Sequence, residues 1–225
     1  MKITISGPAE ACDLELNAEF DRQTSNLLQS GYPELARVTP DQFLIQIEPL
    51  RRCLKNAAVS NFGTGPIPFL IVIKSQLVAT EAAMQLVNVN GKAGSVNMHP
   101  VSPGDFTPIA QVKIPDGMAY LIWDVDTGKQ SLNITPAVAL KSILAEHRLP
   151  LVIDEGVALA MHFPEVLRDK ERFNCYSILG SRAGNQRVPA MWISYQKPRL
   201  GWCWDNNPHT WLGSASCAGR LGGES

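Results

Sequence analysis

The stretch GWCWDNNPHTWLGSASC, residues 201–217, gathers three of the chain's five tryptophans, two of its five cysteines and one of its four histidines. Three kinds of chemistry fit these residue types. The first is metal binding. Cys203, His209 and Cys217 stand as C-x5-H-x7-C, with Cys175 available as a fourth ligand, and structural zinc takes four such ligands in a tetrahedron. Two of those ligands usually share a tight C-x2-4-C knuckle, and none is present, so no metal ligands are assigned. The second is nucleophilic catalysis, with Cys203 or Cys217 attacking and His209 or His162 as base. No family signature surrounds either cysteine. The third is recognition. Trp192, Trp202, Trp204 and Trp211 offer flat apolar bodies with one N–H donor each, suited to stacking on a sugar, a base or a cation. Against this stands the plain alternative that large aromatics fill a core or a subunit interface.

Charge favours recognition. From Arg172 to Trp204 there are five basic residues, Arg172, Arg182, Arg187, Lys197 and Arg199, and no acidic one. Within ILGSRAGNQR, 178–187, two glycines, a serine and two arginines make a loop able to offer N–H groups and guanidinium forks to an anion. No Gly-Lys-Ser/Thr follows, so it is not the phosphate loop of NTPases. The alternative is internal: the acidic N-terminal segment, with Glu10, Asp13, Glu15, Glu19 and Asp21, lies against the basic one.

LIWDVDTG, 121–128, looks like the first motif of haloacid-dehalogenase-type phosphatases, where the first Asp attacks phosphorus and the second handles a proton beside Mg²⁺. Period-two geometry puts Asp124 and Asp126 on one face. The downstream acidic pair for Mg²⁺ has no counterpart here, and the competing reading is a hairpin turning at Asp126, Thr127 and Gly128 into SLNI.

Composition bounds the rest. The chain has 225 residues, 45% apolar and 18% charged, enough for a sizeable core. A formal net charge of −1 argues against a broad polyanion-binding surface, so no nucleic-acid partner is expected. The longest apolar run, near PFLIVI at 68–73, is far too short to cross a bilayer. The first residues lack the apolar stretch of a signal peptide. Five widely spaced cysteines, an odd number, fit reduced thiols and a cytoplasmic location. No cofactor motif is found, and homo-oligomerisation stays open.

The positioning elements follow from periodicity and punctuation. Residues 1–16 read as irregular, with a helix from Asn17 to Gly31. Thr39, Pro40 and Gln42 form a capping box for a second helix, whose apolar face is Phe43, Ile47, Leu50 and Leu54. Pro49 should kink or split it. NFGTGP, 61–66, is a loop. PFLIVI reads as a strand buried on both faces, TEAAMQLV as a short helix and AYLIWDV as the strongest strand. Thr135 and Pro136 open a further helix, and Asp154 caps another that Pro164 limits. YSIL, PAMWISY and LGWCW are strands, with QKPR, 196–199, as a hairpin connection.

LNITP (132–136), ILGSRAGNQRVPAMWIS (178–194), LGWCWDNNPHTWLGSASC (200–217) and EFDRQTSNLLQSGYP (19–33) resemble segments of an uncharacterised bacterial protein family, mostly actinobacterial in type. The resemblance runs from about residue 17 onward and implies one integral cytosolic unit. It implies no activity, cofactor or catalytic residue. The expectation is therefore a single α+β domain over 1–225, with N-terminal helices (1–60) packed on a mixed or mostly antiparallel sheet. Its expected role is binding an anionic small molecule or partner. Arg182 and Arg187 would hold the anion, with Trp202, Trp204, His209 and Trp211 around it. The alternative is a hydrolase or zinc-site protein using Cys203 or Cys217 with His209.

Overall fold

A computed structural model describes residues 9–58, 67–167 and 175–222, with side chains from residue 14 and, in the first helical stretch, as far as residue 54. NFGTGP and Arg172 lie outside the described residues. The protein is α+β. Its described residues fall into two compact units, one from Met1–Ala79, Ile114–Val125 and Ala218–Ser225, the other from Thr80–Lys113 and Asp126–Cys217. Among the described residues no helix is long and apolar enough to cross a membrane.

The first unit sets four helices with a three-stranded antiparallel sheet, ordered Ile67–Ile73, Ala119–Val125, Gly219–Gly222. The first helix starts at Ala9, not Asn17, and runs to Ser30. AEACDLEL is dense in strong helix formers, and acids near a helix N-terminus suit the dipole, so the acidic segment is helical rather than irregular. Leu16, Phe20 and Leu27 mark its buried face. Thr39 and Gln42 form the expected reciprocal cap, Gln42 N donating to Thr39 Oγ1 at 3.2 Å and Thr39 N to Gln42 Oε1 at 2.9 Å. Pro49 splits the helix as expected, into Pro40–Ile47 and Pro49–Ala58.

Strand Ile67–Ile73 is buried along its whole length yet stands at the sheet's edge. A buried edge leaves backbone groups to be satisfied. Gln23 does this from the first helix: its amide donates to Phe69 O at 2.9 Å and accepts from Ile71 N at 2.8 Å. One side chain thus takes the place of a neighbouring strand. Glu19 holds that amide at 2.7 Å and is itself gripped by Arg22. Asp21 and Glu48 pair with Arg51, whose guanidinium lies 4.3 Å from the centre of the Phe20 ring. These helix acids find cations within their own unit.

The phosphatase-like reading of LIWDVDTG is corrected here. Its strand is the middle of an antiparallel sheet, and Asp124 has φ 52, which breaks the two-residue alternation. No hairpin into SLNI forms either. Asp126 Oδ1 accepts from Gly128 N at 2.7 Å, and Gly128, at φ 84, packs so closely on the Ser214 backbone that a Cβ has no room. The chain then makes a 3-10 turn, Lys129–Ser131.

The second unit is built on a five-stranded mixed sheet, ordered Gly213–Ser214, Tyr176–Ser177, Arg187–Ser194, Lys197–Trp204, Ser95–Val96. The central pair is antiparallel, and the outermost strands join in parallel. Helix Ile153–His162 is almost wholly buried. Asp154 sits in its first turn rather than capping it: Glu155, one residue on, reaches back to accept from Val152 N at 2.8 Å. The hairpin turn is Tyr195 and Gln196, at φ 50 and 64, the left-handed pair a two-residue turn needs. Lys197, Pro198 and Arg199 therefore belong to the strand, not to the connection. The loop 178–187 is shorter than expected because Ser181–Arg182 pairs with Thr107–Pro108.

Gln23→Leu should lower unfolding free energy by about 2–4 kcal/mol, the cost of leaving two buried backbone groups unpaired, measured by urea denaturation with unchanged far-UV circular dichroism.

Candidate functional site

The hairpin register decides which side chains meet. Arg187 pairs with Trp204, Pro189 with Trp202, Val188 with Cys203 and Trp192 with Arg199. Alternation along the strands puts Arg187, Trp202 and Trp204 on one face, and Val188, Ala190, Trp192 and Cys203 on the other. Trp192 is thus separated from the other hairpin indoles. Its ring lies over Gly201, where a Cβ would come within 2.2 Å of Cη2, and it packs with Cys175, Ala190 and Leu212.

On the first face the Trp202 and Trp204 rings meet edge to face, centroids 5.0 Å apart and planes at 71°. The Arg187 guanidinium stands 4.6 Å from the Trp202 ring centre and 4.8 Å from that of Trp204. Each such contact contributes about 0.5–1 kcal/mol near a surface. Trp202 is anchored, its indole N–H reaching Met98 O at 3.0 Å and His99 O at 3.2 Å. Trp204 remains 45% exposed. Arg187 Nε is buried with no hydrogen-bond partner, and among the described residues no carboxylate pairs with this guanidinium. The cation rests against two indoles, and among the described residues its side-chain nitrogens have no hydrogen-bond partner.

Arg182 behaves differently from the expectation. It donates to Leu179 O at 2.8 Å and Ser181 O at 3.2 Å, and forms an ion pair with Asp205 at 3.1 Å. Burial outweighs the favourable Asp205 charge and lowers its pKa from the usual value. Its fork is spent on fastening the chain after Trp204. Asp205 N donates to Gln186 O at 2.9 Å, and Ala137 N to Asp205 O at 3.0 Å. Asp205 is the residue missed by sequence reading; the signal was its position as the first acid after the long basic stretch.

Further along, Asn133 N donates to His209 O at 2.8 Å. The His209 ring lies 4.9 Å from Trp211 at 50°, and its Nε2 is buried without a partner. Burial pushes the His209 pKa below 6.5. Trp211 is 44% exposed, and Val138 is another large apolar side chain exposed in this unit. Val138 sits one residue from Ala137, whose N–H reaches Asp205 O.

Burial and packing weigh against the cysteine readings. Cys203 faces the sheet's interior, packing with Ala139, Ile143, Leu179 and Val188 and lying 3.9 Å from Ser177 Oγ. Burial pushes its pKa up to about 11 and that of Cys175 up to about 12, so both remain thiols at neutral pH. Cys217 is fully buried in a short strand pairing with Leu149–Pro150. Among the described residues no group of three or more His, Cys, Asp or Glu is placed to hold a metal. The zinc arrangement of Cys175, Cys203, His209 and Cys217 is not assembled.

At neutral pH, Cys175, Cys203 and Cys217 should resist iodoacetamide in the native state and react after denaturation; rapid native labelling of Cys203 would restore the nucleophile. His209 gives a pH signature. Its folded pKa is below the unfolded value, so the unfolded chain binds more protons and stability falls as pH drops below about 6.5. His209→Gln should flatten that part of the melting-temperature profile relative to wild type.

No curated protein and no solved structure matches the chain. A family model does match, over residues 26–223. With nearly the whole chain covered, the protein belongs to DUF5701, a family of unknown function.

Proposed function

We propose that this is a binding protein that recognises a small molecule carrying an anionic group, with Arg187 as the anion's partner and the neighbouring indoles as a flat wall. The observation that carries this reading is the Arg187 guanidinium over the Trp202 and Trp204 rings, without a carboxylate among the described residues. A guanidinium in that state keeps its terminal N–H groups for a carboxylate or phosphate, while the two indoles hold it still before a ligand arrives. Pre-organisation of this kind reduces the ordering cost of binding.

The other residues divide by role. Trp202 is fixed by two carbonyls and carries the stack. Trp204 and Trp211 are the half-exposed aromatics, suited to cover a ring or an apolar body. His209, neutral at physiological pH, has a ring nitrogen without a partner. Arg182 is a positioning residue: through Asp205 it holds the segment that carries His209 and Trp211. Hydrolysis by Cys203 is disfavoured by its buried, protonated state.

Tryptophan fluorescence should change saturably on titration with phenyl phosphate or benzoate, probes that join a flat ring to an anion. Arg187→Gln and Trp204→Ala should each abolish the response, and Arg182→Ala should weaken it. If Arg187 is only a strut, Arg187→Gln lowers the melting temperature but leaves the titration unchanged, and the reading fails. A flat wild-type titration against both probes also defeats it.

A further inference from the structure

We propose a second anion site, for the phosphate group of a phosphorylated small molecule, at the turn end of the same hairpin and on its opposite face. Its cations are Lys197 and Arg199, with Ser194 and Ser95 as neutral donors.

Register brings these four together. Ser194 pairs with Lys197 across the hairpin, and Arg199 pairs with Ser95 of the parallel edge strand. Lys197 and Arg199, two residues apart, project from one face of one strand at about 7 Å spacing. The two hydroxyls stand on the flanking strands, about 5 Å to either side. Four donors thus border one small area, with Lys197 exposed and Arg199, Ser95 and Ser194 half-buried.

The charge there is uncompensated. Neither 88–100 nor 187–204 contains an acidic residue. Lys92 adds a third positive charge, donating to Gln196 Oε1 at 2.6 Å. Arg199 Nε is buried without a partner, and among the described residues neither Lys197 nor Arg199 pairs with a carboxylate. An arriving anion would meet the terminal guanidinium nitrogens of Arg199 rather than its buried Nε.

The donor set selects the anion. One carboxylate needs one guanidinium fork, whereas a phosphate brings close to two negative charges and three terminal oxygens. A rigid fork beside a mobile ammonium, with hydroxyls at the flanks, suits the phosphate. The nearby indole of Trp192 is committed to Gly201 and the interior, so ligand recognition here runs through the phosphate rather than through a stacked ring. This site shares no residue with the Arg187 cluster, and either can fail without the other.

Isothermal calorimetry with inorganic phosphate at low ionic strength tests it. Wild-type protein should give saturable binding, and Lys197→Gln and Arg199→Gln should each weaken it about ten-fold or more. Ser194→Ala should weaken it about two-fold, the effect of one neutral donor. Lys141→Gln, at an exposed lysine outside both clusters, should leave it unchanged, and acetate should not compete. No saturable heat, equal affinity in Lys197→Gln, or a loss reproduced by Lys141→Gln would each overturn the proposal. Should Arg199→Gln misfold by near-UV circular dichroism, the exposed Lys197 variant decides alone.

Discussion

The register of the hairpin Arg187–Ser194 with Lys197–Trp204 is the constraint on which the second unit's chemistry depends. A slip by one residue would exchange its two faces. Cys203 and Trp192 would turn away from the interior, and Arg187 would leave the indoles. The register is held at several points. The turn has two residues at positive φ, so its length admits no slack. Trp192 needs Gly201 beneath its ring, and no other register supplies that gap. Trp202 binds two carbonyls of the 98–99 loop. Core packing and turn geometry thus agree, and the Arg187–indole arrangement follows from the register they fix.

Both units meet the same difficulty, polar backbone and charge at the border of a buried sheet, and meet it with single side chains from distant sequence. Gln23 substitutes for a strand beside Ile67–Ile73. Arg182 ties its own segment, through Leu179 and Ser181, to Asp205. Such groups are structural because their donors are turned onto the fold's own acceptors. Arg187 and Arg199 form a second class, buried at Nε but without an acceptor there. Within one protein the contrast is informative: arginines of equal charge differ in whether the fold consumes their hydrogen-bonding capacity.

What is legible from the sequence is whatever local physics decides. The Thr39–Gln42 box and the break at Pro49 need only neighbours a turn away, and both are where spacing puts them. The fully buried strand Ile67–Ile73 announces itself by lack of alternation. The shared face of Trp202 and Trp204, with Cys203 opposite, follows from period two and holds. Failures occur where long-range pairing competes with local preference. Asp154 is a good cap, but Glu155 reaches the Val152 N–H from within the buried helix start. SLNI has strand-like composition, yet the Gly128–Ser214 approach bends the chain first. That Arg182 meets Asp205 while Arg187 meets two indoles depends on the hairpin twist and the path of residues 205–211, which no local spacing encodes.

The protonation states also bear on what kind of protein this is. A nucleophile needs its charged form within reach of solvent and a base, whereas burial holds Cys203 and Cys175 as thiols. A general base does best with a pKa near the working pH. His209 is displaced downward by burial, with Trp211 beside it and no partner at Nε2, so nothing organises it toward a thiol. Beside these groups stand the cations Arg187, Lys197 and Arg199, for which no carboxylate partner is found among the described residues. Guanidinium and ammonium cannot cleave a bond by proton transfer at neutral pH, but they can hold an anion. Protonated thiols beside these cations suit the proposed recognition role better than covalent chemistry.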